Sequence, residues 1–158
     1  MTIKTDRLNI YPVSDEEMEK IIAAQTIPEL KAAYEEMLSG CLAEPEKRIW
    51  HTLWNIELND ENKTAVGNLS FKGLGDDGVL EIGYGTNDGF EGRGYMTEAV
   101  TAVAKWAAAQ DGVKLIEAET EEDNAASKRV LQKSGFIPNG KIGEEGPRFF
   151  FVEKNEQN

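Results

Sequence analysis

Three glycines, Gly89, Gly92 and Gly94, stand just ahead of Tyr95, where the apolar residues take on the spacing of a helix. The segment before them, Val79 to Thr86, has the composition of a strand. A glycine loop between a strand and a helix exposes backbone N–H groups at the positive end of the helix dipole, where anions bind. The spacing therefore predicts a site for a phosphate or a similar anion.

Two common phosphate-binding loops do not fit this segment. A P-loop has Lys and then Ser or Thr after its last glycine, whereas Tyr95 and Met96 follow Gly94. The dinucleotide fingerprint needs a further glycine at position 97, where Thr97 stands, and it follows an early parallel strand. A glycine turn that only lets the helix pack on a sheet remains open on this loop alone.

A second segment, Asn124 to Phe136, follows about 30 residues after the loop and reads N-A-A-S-K-R-V-L-Q-K-S-G-F. Together with Glu81 to Tyr84 (E-I-G-Y) and Gly92 to Ala99 (G-R-G-Y-M-T-E-A), it resembles the signature of the GNAT superfamily of acyl-CoA-dependent N-acetyltransferases. The resemblance is closest to the ribosomal-protein (RimJ/RimL-type) branch. It is specific over residues 79–136, and residues 7–13 are weakly similar to the family's opening strand.

The resemblance implies acetyl-CoA as co-substrate. Loop N–H groups would cradle its pyrophosphate, and Gly85, Thr86 and the polar side chain of Asn124 would bind its pantetheine arm between two splayed strands. The cofactor-binding residues implied are Gly85, Thr86, Glu91, Gly92, Arg93, Gly94, Tyr95, Met96, Thr97, Asn124 and Ser127. Positive charge for the phosphates is expected from Arg93, Lys128, Arg129 and Lys133.

The resemblance also implies direct attack of a primary amine on the thioester, and well-oriented reactants can recover on the order of 7–11 kcal/mol of barrier. Glu81, on the strand beside the cleft, is the predicted general base. A strand N–H at Tyr84 or Gly85 is the predicted oxyanion donor. Ser127 is the predicted acid for the thiolate, because Leu131 stands where many members carry a tyrosine.

The elements predicted around these motifs follow the order β-α-α-β-β-β-α-β-α-β-β. Helices are expected after Ser14, from Pro28 to a stop at Gly40, from Tyr95 and from Ala125. The predicted strands cover residues 8–13, 50–58, 64–71, 79–86, 115–120, 140–142 and 148–153. This order predicts an α+β domain (an α/β sandwich) with a mixed, mostly antiparallel sheet and helices on both faces.

The composition and net charge limit the classes of partner that the protein is expected to bind. The 158 residues include 17 Lys plus Arg and 29 Asp plus Glu, and the net charge of −12 argues against nucleic acid as partner and is compatible with a cationic substrate. One cysteine and one histidine are too few for the usual zinc site, so no metal is predicted. The chain has no apolar run of bilayer length and no secretory signal at its start, so a cytoplasmic protein without a membrane partner is expected.

These observations predict a single domain over residues 1–158 that moves an acetyl group from acetyl-CoA to a primary amine. The acceptor classes are a peptide α-amine, a polyamine or another small amine, and the protein is expected to be a monomer or a homodimer. The alternative is an acyl-CoA-binding sensor module without turnover. It is suggested by Glu91, where the superfamily commonly has Gln or Arg, by Met96, where it has Gly or Ala, and by the missing tyrosine.

Overall fold

The computed structural model describes residues 1–153, and residues 154–158 of the predicted domain lie outside the described part. Its strands are β1 (Ile3–Lys4), β2 (Leu8–Pro12), β3 (Leu53–Leu58), β4 (Ala65–Leu74), β5 (Val79–Thr86), β6 (Leu115–Glu119), β7 (Phe136–Ile142) and β8 (Pro147–Phe151). Its helices are α1 (Asp15–Ala24), α2 (Pro28–Ala43), α3 (Tyr95–Ala108) and α4 (Ala125–Lys133), with a 3₁₀ helix at Pro45–Trp50. Within residues 1–153, no helix combines the length and apolar character needed to cross a membrane.

The helices begin where local sequence signals place them. The Ser14 hydroxyl oxygen accepts a hydrogen bond of 3.1 Å from the N–H of Glu17, which satisfies one of the free donors at the start of α1. Pro28 lies in the first turn of α2, where its missing N–H costs nothing. These two starts confirm the predictions made from capping residues.

Two predicted boundaries are wrong. Gly40 does not end α2, which continues to Ala43. A Cβ at Gly40 would lie 2.5 Å from Nδ1 of His51, so this glycine makes room for the imidazole instead. Trp50 does not begin a strand either, because it lies in the 3₁₀ helix and packs edge-on against Phe71 with ring centroids 5.2 Å apart. β3 therefore starts at Leu53.

The strands form one sheet in the order β1-β2-β3-β4-β5-β6-β8-β7. β5 and β6 run parallel because α3 carries the chain back across the sheet, and the other neighbouring pairs are antiparallel. This confirms the mixed, mostly antiparallel sheet. The structure adds β1, which was not predicted, and begins β7 at Phe136 instead of residue 140.

Helices cover both faces of the sheet, as expected. Neighbouring strand residues point to opposite faces, so Trp54 enters the main core under α3 while Leu53 enters a second, smaller core. The smaller core contains Val13 and Met18 and is closed by α1 and α2. Thus α3 lies on the face of the sheet that carries the main core. The helices α1 and α2 lie on the opposite face, against β2 and the start of β3.

Candidate functional site

The parallel pairing of β5 with β6 is short. It covers Val79–Leu115, Leu80–Ile116 and Glu81–Glu117, although β5 continues to Thr86. Beyond Glu81 the two strands part, and a cavity of about 470 Å³ opens between β5, α3 and α4. This fork is the opening that the family resemblance implies for an extended ligand arm.

Beyond Glu81, β5 remains paired with β4, and its other edge borders the fork. The N–H of Asn87 donates to the carbonyl oxygen of Val66 at 2.8 Å, so it faces β4. Because the N–H groups of successive strand residues alternate in direction, those of Tyr84 and Thr86 face the opposite side, where β6 has left the pairing. The geometry thus leaves two strand donors available for an amide-rich arm or an oxyanion.

Most of the predicted cofactor-binding residues come together around this cavity. Ten line it: Gly85, Thr86, Glu91, Gly92, Gly94, Tyr95, Met96, Thr97, Asn124 and Ser127. Arg93 and the predicted base Glu81 are not part of the lining. The lining also includes the side chain of Tyr84, for which the sequence predicted only a backbone role.

The glycine loop has the conformation and the space that an anion cradle needs. Gly89, Gly92 and Gly94 have φ angles of 91°, 76° and 80°, in the left-handed region that favours glycine. No heavy atom lies within 4 Å of where a Cβ of Gly89 or Gly92 would stand. Gly94 is the N-cap of α3 and gives the helix no side-chain cap, so its first N–H groups remain available to a phosphate.

The loop is braced from behind by the N-terminal segment. Nη1 of Arg7 donates to the carbonyl oxygen of Arg93 at 3.0 Å, and its guanidinium lies 4.5 Å from the ring centroid of Tyr95. Glu98, in the first turn of α3, accepts from the N–H and Nε of Arg7 at 2.9 and 2.7 Å and from the hydroxyl of Thr5. These contacts could not be predicted from the sequence, because their partners lie about ninety positions apart.

The pKa of Glu98 is lowered by the brace. Partial burial of the carboxyl favours its neutral form, but the hydrogen bonds from Thr5 and Arg7 and the charge of Arg7 outweigh that effect. Glu98 is therefore held as a carboxylate, which keeps Arg7 against the loop.

Of the four cations expected near the phosphates, two line the cavity. Arg129 and Lys133 are four residues apart on α4 and so share one helix face. Lys128 turns away and donates to Glu122, and the guanidinium of Arg93 lies 5.9 Å from the ring centroid of Phe90. Positive charge thus comes from α4 more than from the loop itself.

The two departures from the family pattern have different consequences. Met96 is 6% exposed and belongs to the main core, with its methyl group beside Gly67, so the bulk of its side chain stays out of the cavity. Glu91 stays at the loop, where Oε2 accepts from the N–H of Gly89 at 2.9 Å. Its negative charge therefore remains close to the proposed phosphate position.

Tyr84 and Ser127 form a hydroxyl pair across the groove. The two side-chain oxygens are 2.9 Å apart, and the phenol also donates to the carbonyl oxygen of Ser127 at 3.2 Å. Burial raises the pKa of Tyr84, against a smaller opposing effect of the hydrogen bond to Ser127. Asn124 fixes the position of Ser127, because its side-chain oxygen accepts from the Ser127 N–H at 3.0 Å as the N-cap of α4.

The side chain of Glu81 lies on the face of the sheet opposite that of Tyr84, and it forms ion pairs with Arg148 and Lys72. Its oxygens lie 2.7 Å from Nη2 of Arg148 and 2.6 Å from Nζ of Lys72. Burial favours the neutral acid, but the bonds to Lys72 and Arg148 outweigh it and lower the pKa of Glu81. Arg148 also contacts Glu117 and Glu119, so it joins β5, β6 and β8 at the base of the fork.

A second cavity, of about 590 Å³, lies on the α1–α2 side and reaches the back of the fork. Gly67 and Asn68 of β4 line it, and they pair with Thr86 and Gly85, which line the first cavity. A Cβ at Gly67 would lie 2.5 Å from the carbonyl oxygen of Gly85, so the backbones approach closely there. One pair of strands therefore separates the two cavities.

The wall of the second cavity carries a polar cluster. Tyr11 donates to Oε1 of Glu57 at 2.8 Å, and Nδ2 of Asn55 donates to the same oxygen at 3.1 Å. Tyr11 and Asn55 line the cavity, while Glu57 lies behind them and is buried. Within residues 1–153, no group of three or more His, Cys, Asp or Glu side chains is placed to hold a metal ion.

The residues of the first cavity fit acetyl-CoA. An uncapped helix start behind open glycines suits a diphosphate, the two α4 cations suit its charge, and the fork suits an amide-rich arm.

Comparison with known proteins gives the same family. The sequence model described as "Acetyltransferase (GNAT) domain" matches residues 3–137. The chain is 38% identical over 90 residues to the uncharacterized N-acetyltransferase YjdG of Bacillus subtilis, a match that covers 56% of this chain and about half (54%) of that relative.

Solved structures share the fold at lower identity. An acetyltransferase from Agrobacterium tumefaciens superimposes with a TM-score of 0.72 at 19% identity, covering 97% of this chain and 95% of that one. A ribosomal L7/L12 alpha-N-protein acetyltransferase, RimL, in complex with coenzyme A gives a TM-score of 0.71 at 16% identity, with 96% of each chain covered.

Proposed function

The chain belongs to the GNAT family of N-acetyltransferases, and from this premise we propose that it acetylates a primary amine, with a peptide α-amine as the favoured acceptor. The observation that carries the proposal is the uncapped start of α3, which opens onto the fork between β5 and β6. The likeness in fold to a ribosomal-protein N-acetyltransferase supports the acceptor class. The net charge of −12 also favours an acceptor that arrives as a cation.

Acetyl-CoA supplies the acyl thioester. The N–H groups from Gly92 to Thr97 hold the diphosphate, and Arg129 and Lys133 balance its charge in an otherwise acidic protein. The N–H group of Thr86, together with the amide of Asn124, orients the arm along β5.

The second cavity is the proposed acceptor site. It meets the back of the fork where Gly67 lies against Gly85, so an amine held there is close to β5 without crossing the phosphate cradle. The N–H of Tyr84 is placed to stabilise the oxyanion that forms on attack. Holding both reactants on the two sides of one strand pair supplies the proximity that lowers the barrier.

The predicted base and acid stay predictions. Glu81 would have to accept the amine proton while bound to Arg148 and Lys72, and its lowered pKa makes it a weak base. Glu57 is the alternative carboxylate, behind Tyr11 in the acceptor cavity. Ser127 lies in the groove, as expected for a group that meets the sulfur end of the donor.

The test is release of free thiol from acetyl-CoA with a panel of amines. The panel contains serine- and alanine-initiated peptides, spermidine and glucosamine, and each peptide has an α-N-acetylated control. We expect turnover with free peptides and none with the blocked ones, with the product identified by mass spectrometry. Turnover with spermidine alone would overturn the acceptor class, and tight CoA binding without turnover on any amine would favour the sensor alternative.

A further inference from the structure

The sequence offered only Ser127 as acid, because the helix α4 carries Leu131 where many family members have tyrosine. The structure supplies a tyrosine from another element. We propose that Tyr84 of β5 donates the proton taken up by the departing CoA sulfur, and that Ser127 orients its hydroxyl. This inference rests on the proposed acetyl transfer.

The position of Tyr84 along the groove supports this role. From the phosphate cradle at α3, the groove passes Thr86 and Gly85 before it reaches Tyr84, which is closest to the closed end of the fork at Glu81. The thioester is at the far end of the arm from the diphosphate. A donor for the sulfur must therefore lie at this end of the groove.

The other acidic hydrogens of the cavity are less well placed. Tyr95 lies at the cradle, where its ring faces Arg7 and packs near Phe90. Lys133 is on the last turn of α4, and the hydroxyl of Thr97 belongs to the first turn of α3. Thr86 carries a hydroxyl on β5, two residues nearer the cradle than Tyr84. Among the described lining residues, Tyr84 and its partner Ser127 thus carry the hydroxyl groups closest to the closed end of the fork.

The hydrogen-bond geometry orients the phenol. Its single hydrogen can reach the carbonyl oxygen of Ser127 at 3.2 Å or the Ser127 hydroxyl oxygen at 2.9 Å. Both acceptors belong to one residue, whose backbone is fixed by the cap from Asn124. The Tyr84 hydroxyl is therefore held across the groove, between β5 and α4.

Acidity favours the phenol over the serine. A phenol titrates near 10, and burial raises the pKa of Tyr84 further, so its proton is present at neutral pH. A serine hydroxyl is a far weaker acid, whereas a phenol is close in acidity to a thiol.

In the step itself, the new C–N bond is in place and the electron pair of the breaking C–S bond moves to sulfur. Tyr84 gives its hydroxyl proton to that sulfur. The resulting phenolate takes a proton from the acetylated ammonium centre through water, which leaves a neutral amide, a free thiol and the original phenol.

The experiment compares Tyr84→Phe with Ser127→Ala at saturating acetyl-CoA and acceptor. Tyr84→Phe removes one oxygen and leaves the packed ring, so the unfolding free energy should change little. We expect kcat to fall roughly a hundredfold, as for loss of a positioned general acid. Ser127→Ala should cause a smaller fall, because the phenol keeps its proton. A larger fall for Ser127→Ala than for Tyr84→Phe would overturn the proposal and return the role to Ser127.

A binding measurement tests the contact without turnover. Calorimetry on the protein alone compares CoA with desulfo-CoA, which lacks the thiol. We expect the wild type to prefer CoA roughly fivefold, the effect of one hydrogen bond, and Tyr84→Phe to lose that preference while binding desulfo-CoA unchanged. An equal preference in both proteins would contradict the contact with sulfur. Absence of wild-type turnover would instead contradict the proposed function, while the binding comparison would still stand.

Discussion

The guanidinium of Arg7 and the carboxylate of Glu98 meet at 2.7 Å and join the N-terminal segment to the first turn of α3. From behind the glycine loop, the same guanidinium donates a hydrogen bond to the carbonyl oxygen of Arg93. Because this carbonyl is held on the outer side, the loop keeps the shape in which its amides can face a phosphate. Arg7 thus acts on the proposed cradle without lining the cavity.

We expect Arg7→Met to weaken CoA binding several-fold, since the loop then loses both its hydrogen bond and its stacking on Tyr95. The matched control is Lys4→Met, which removes the same charge from an exposed strand residue. Calorimetry should give an unchanged CoA affinity for the control. Equal losses in both variants would mean that only net charge matters.

The Glu98 carboxylate also predicts a pH dependence of stability. Its folded pKa lies below the ordinary value of 4.5, so its contribution is complete above that pH and is lost as the pH falls through the folded pKa. We expect Glu98→Gln to lower the unfolding free energy by about 1 kcal/mol at pH 7. The difference from wild type should shrink below about pH 4, which denaturant titrations at several pH values would measure.

Gly92 and Gly83 form a matched pair for the cradle. Both have open space at the Cβ position, but only Gly92 has a positive φ, of 76°. Gly92→Ala should cost about 1–3 kcal/mol in backbone strain and should place a methyl group where phosphate is proposed to bind. We expect CoA affinity to fall for Gly92→Ala and to stay constant for Gly83→Ala. The reverse order would move the anion site away from the loop.

Asn124 has two separable roles, as the cap of α4 and as a proposed amide donor to the pantetheine arm. Asn124→Ala removes both, so we expect a loss of about 1 kcal/mol of stability together with weaker CoA binding. Asn124→Ser retains an oxygen that can cap the N–H of Ser127, and it loses the amide donor without adding a charge. It should therefore unfold nearly like the wild type and still bind CoA poorly. Wild-type affinity for Asn124→Ser would remove Asn124 from the cofactor contacts.

The role of Glu81 is tested against its partner Arg148. If Glu81 is the base, Glu81→Gln lowers kcat/KM and removes the acid limb of its pH profile, with stability intact. From the contacts with Arg148 and Lys72 we expect a structural result instead. Glu81→Gln and Arg148→Met should both lower the unfolding free energy, by about 1–3 kcal/mol, and the acid limb should persist in Glu81→Gln. Loss of that limb would restore the base assignment.

The same carboxylate affects stability at low pH. The folded pKa of Glu81 is lowered below the ordinary pKa of a glutamate. Its stabilising contribution is therefore complete when the pH is above that ordinary pKa, and it disappears as the pH falls through the folded pKa.

The sequence by itself determined the glycine loop ahead of α3, the starts of the first two helices and the antiparallel run of β3, β4 and β5. These features depend on residues close together in the chain, and a cradle made of backbone N–H groups needs only glycines ahead of a helix. The predicted cofactor contacts therefore gather around one cavity with few exceptions. Arg93 is the exception: it does not line the cavity, its guanidinium lies 5.9 Å from the ring centroid of Phe90 in the same loop, and its contact with the cofactor stays a prediction.

The tertiary structure decided which side chains meet. Tyr84 and Ser127 are 43 positions apart, Arg7 and Glu98 are 91 apart, and Arg148 and Glu81 are 67 apart. Such pairs depend on strand order and on which face each strand residue occupies, and a shift by one residue would exchange the faces. The motifs thus predict where a diphosphate would bind, while the strand order and the position of α4 beside β5 decided which side chains surround that place.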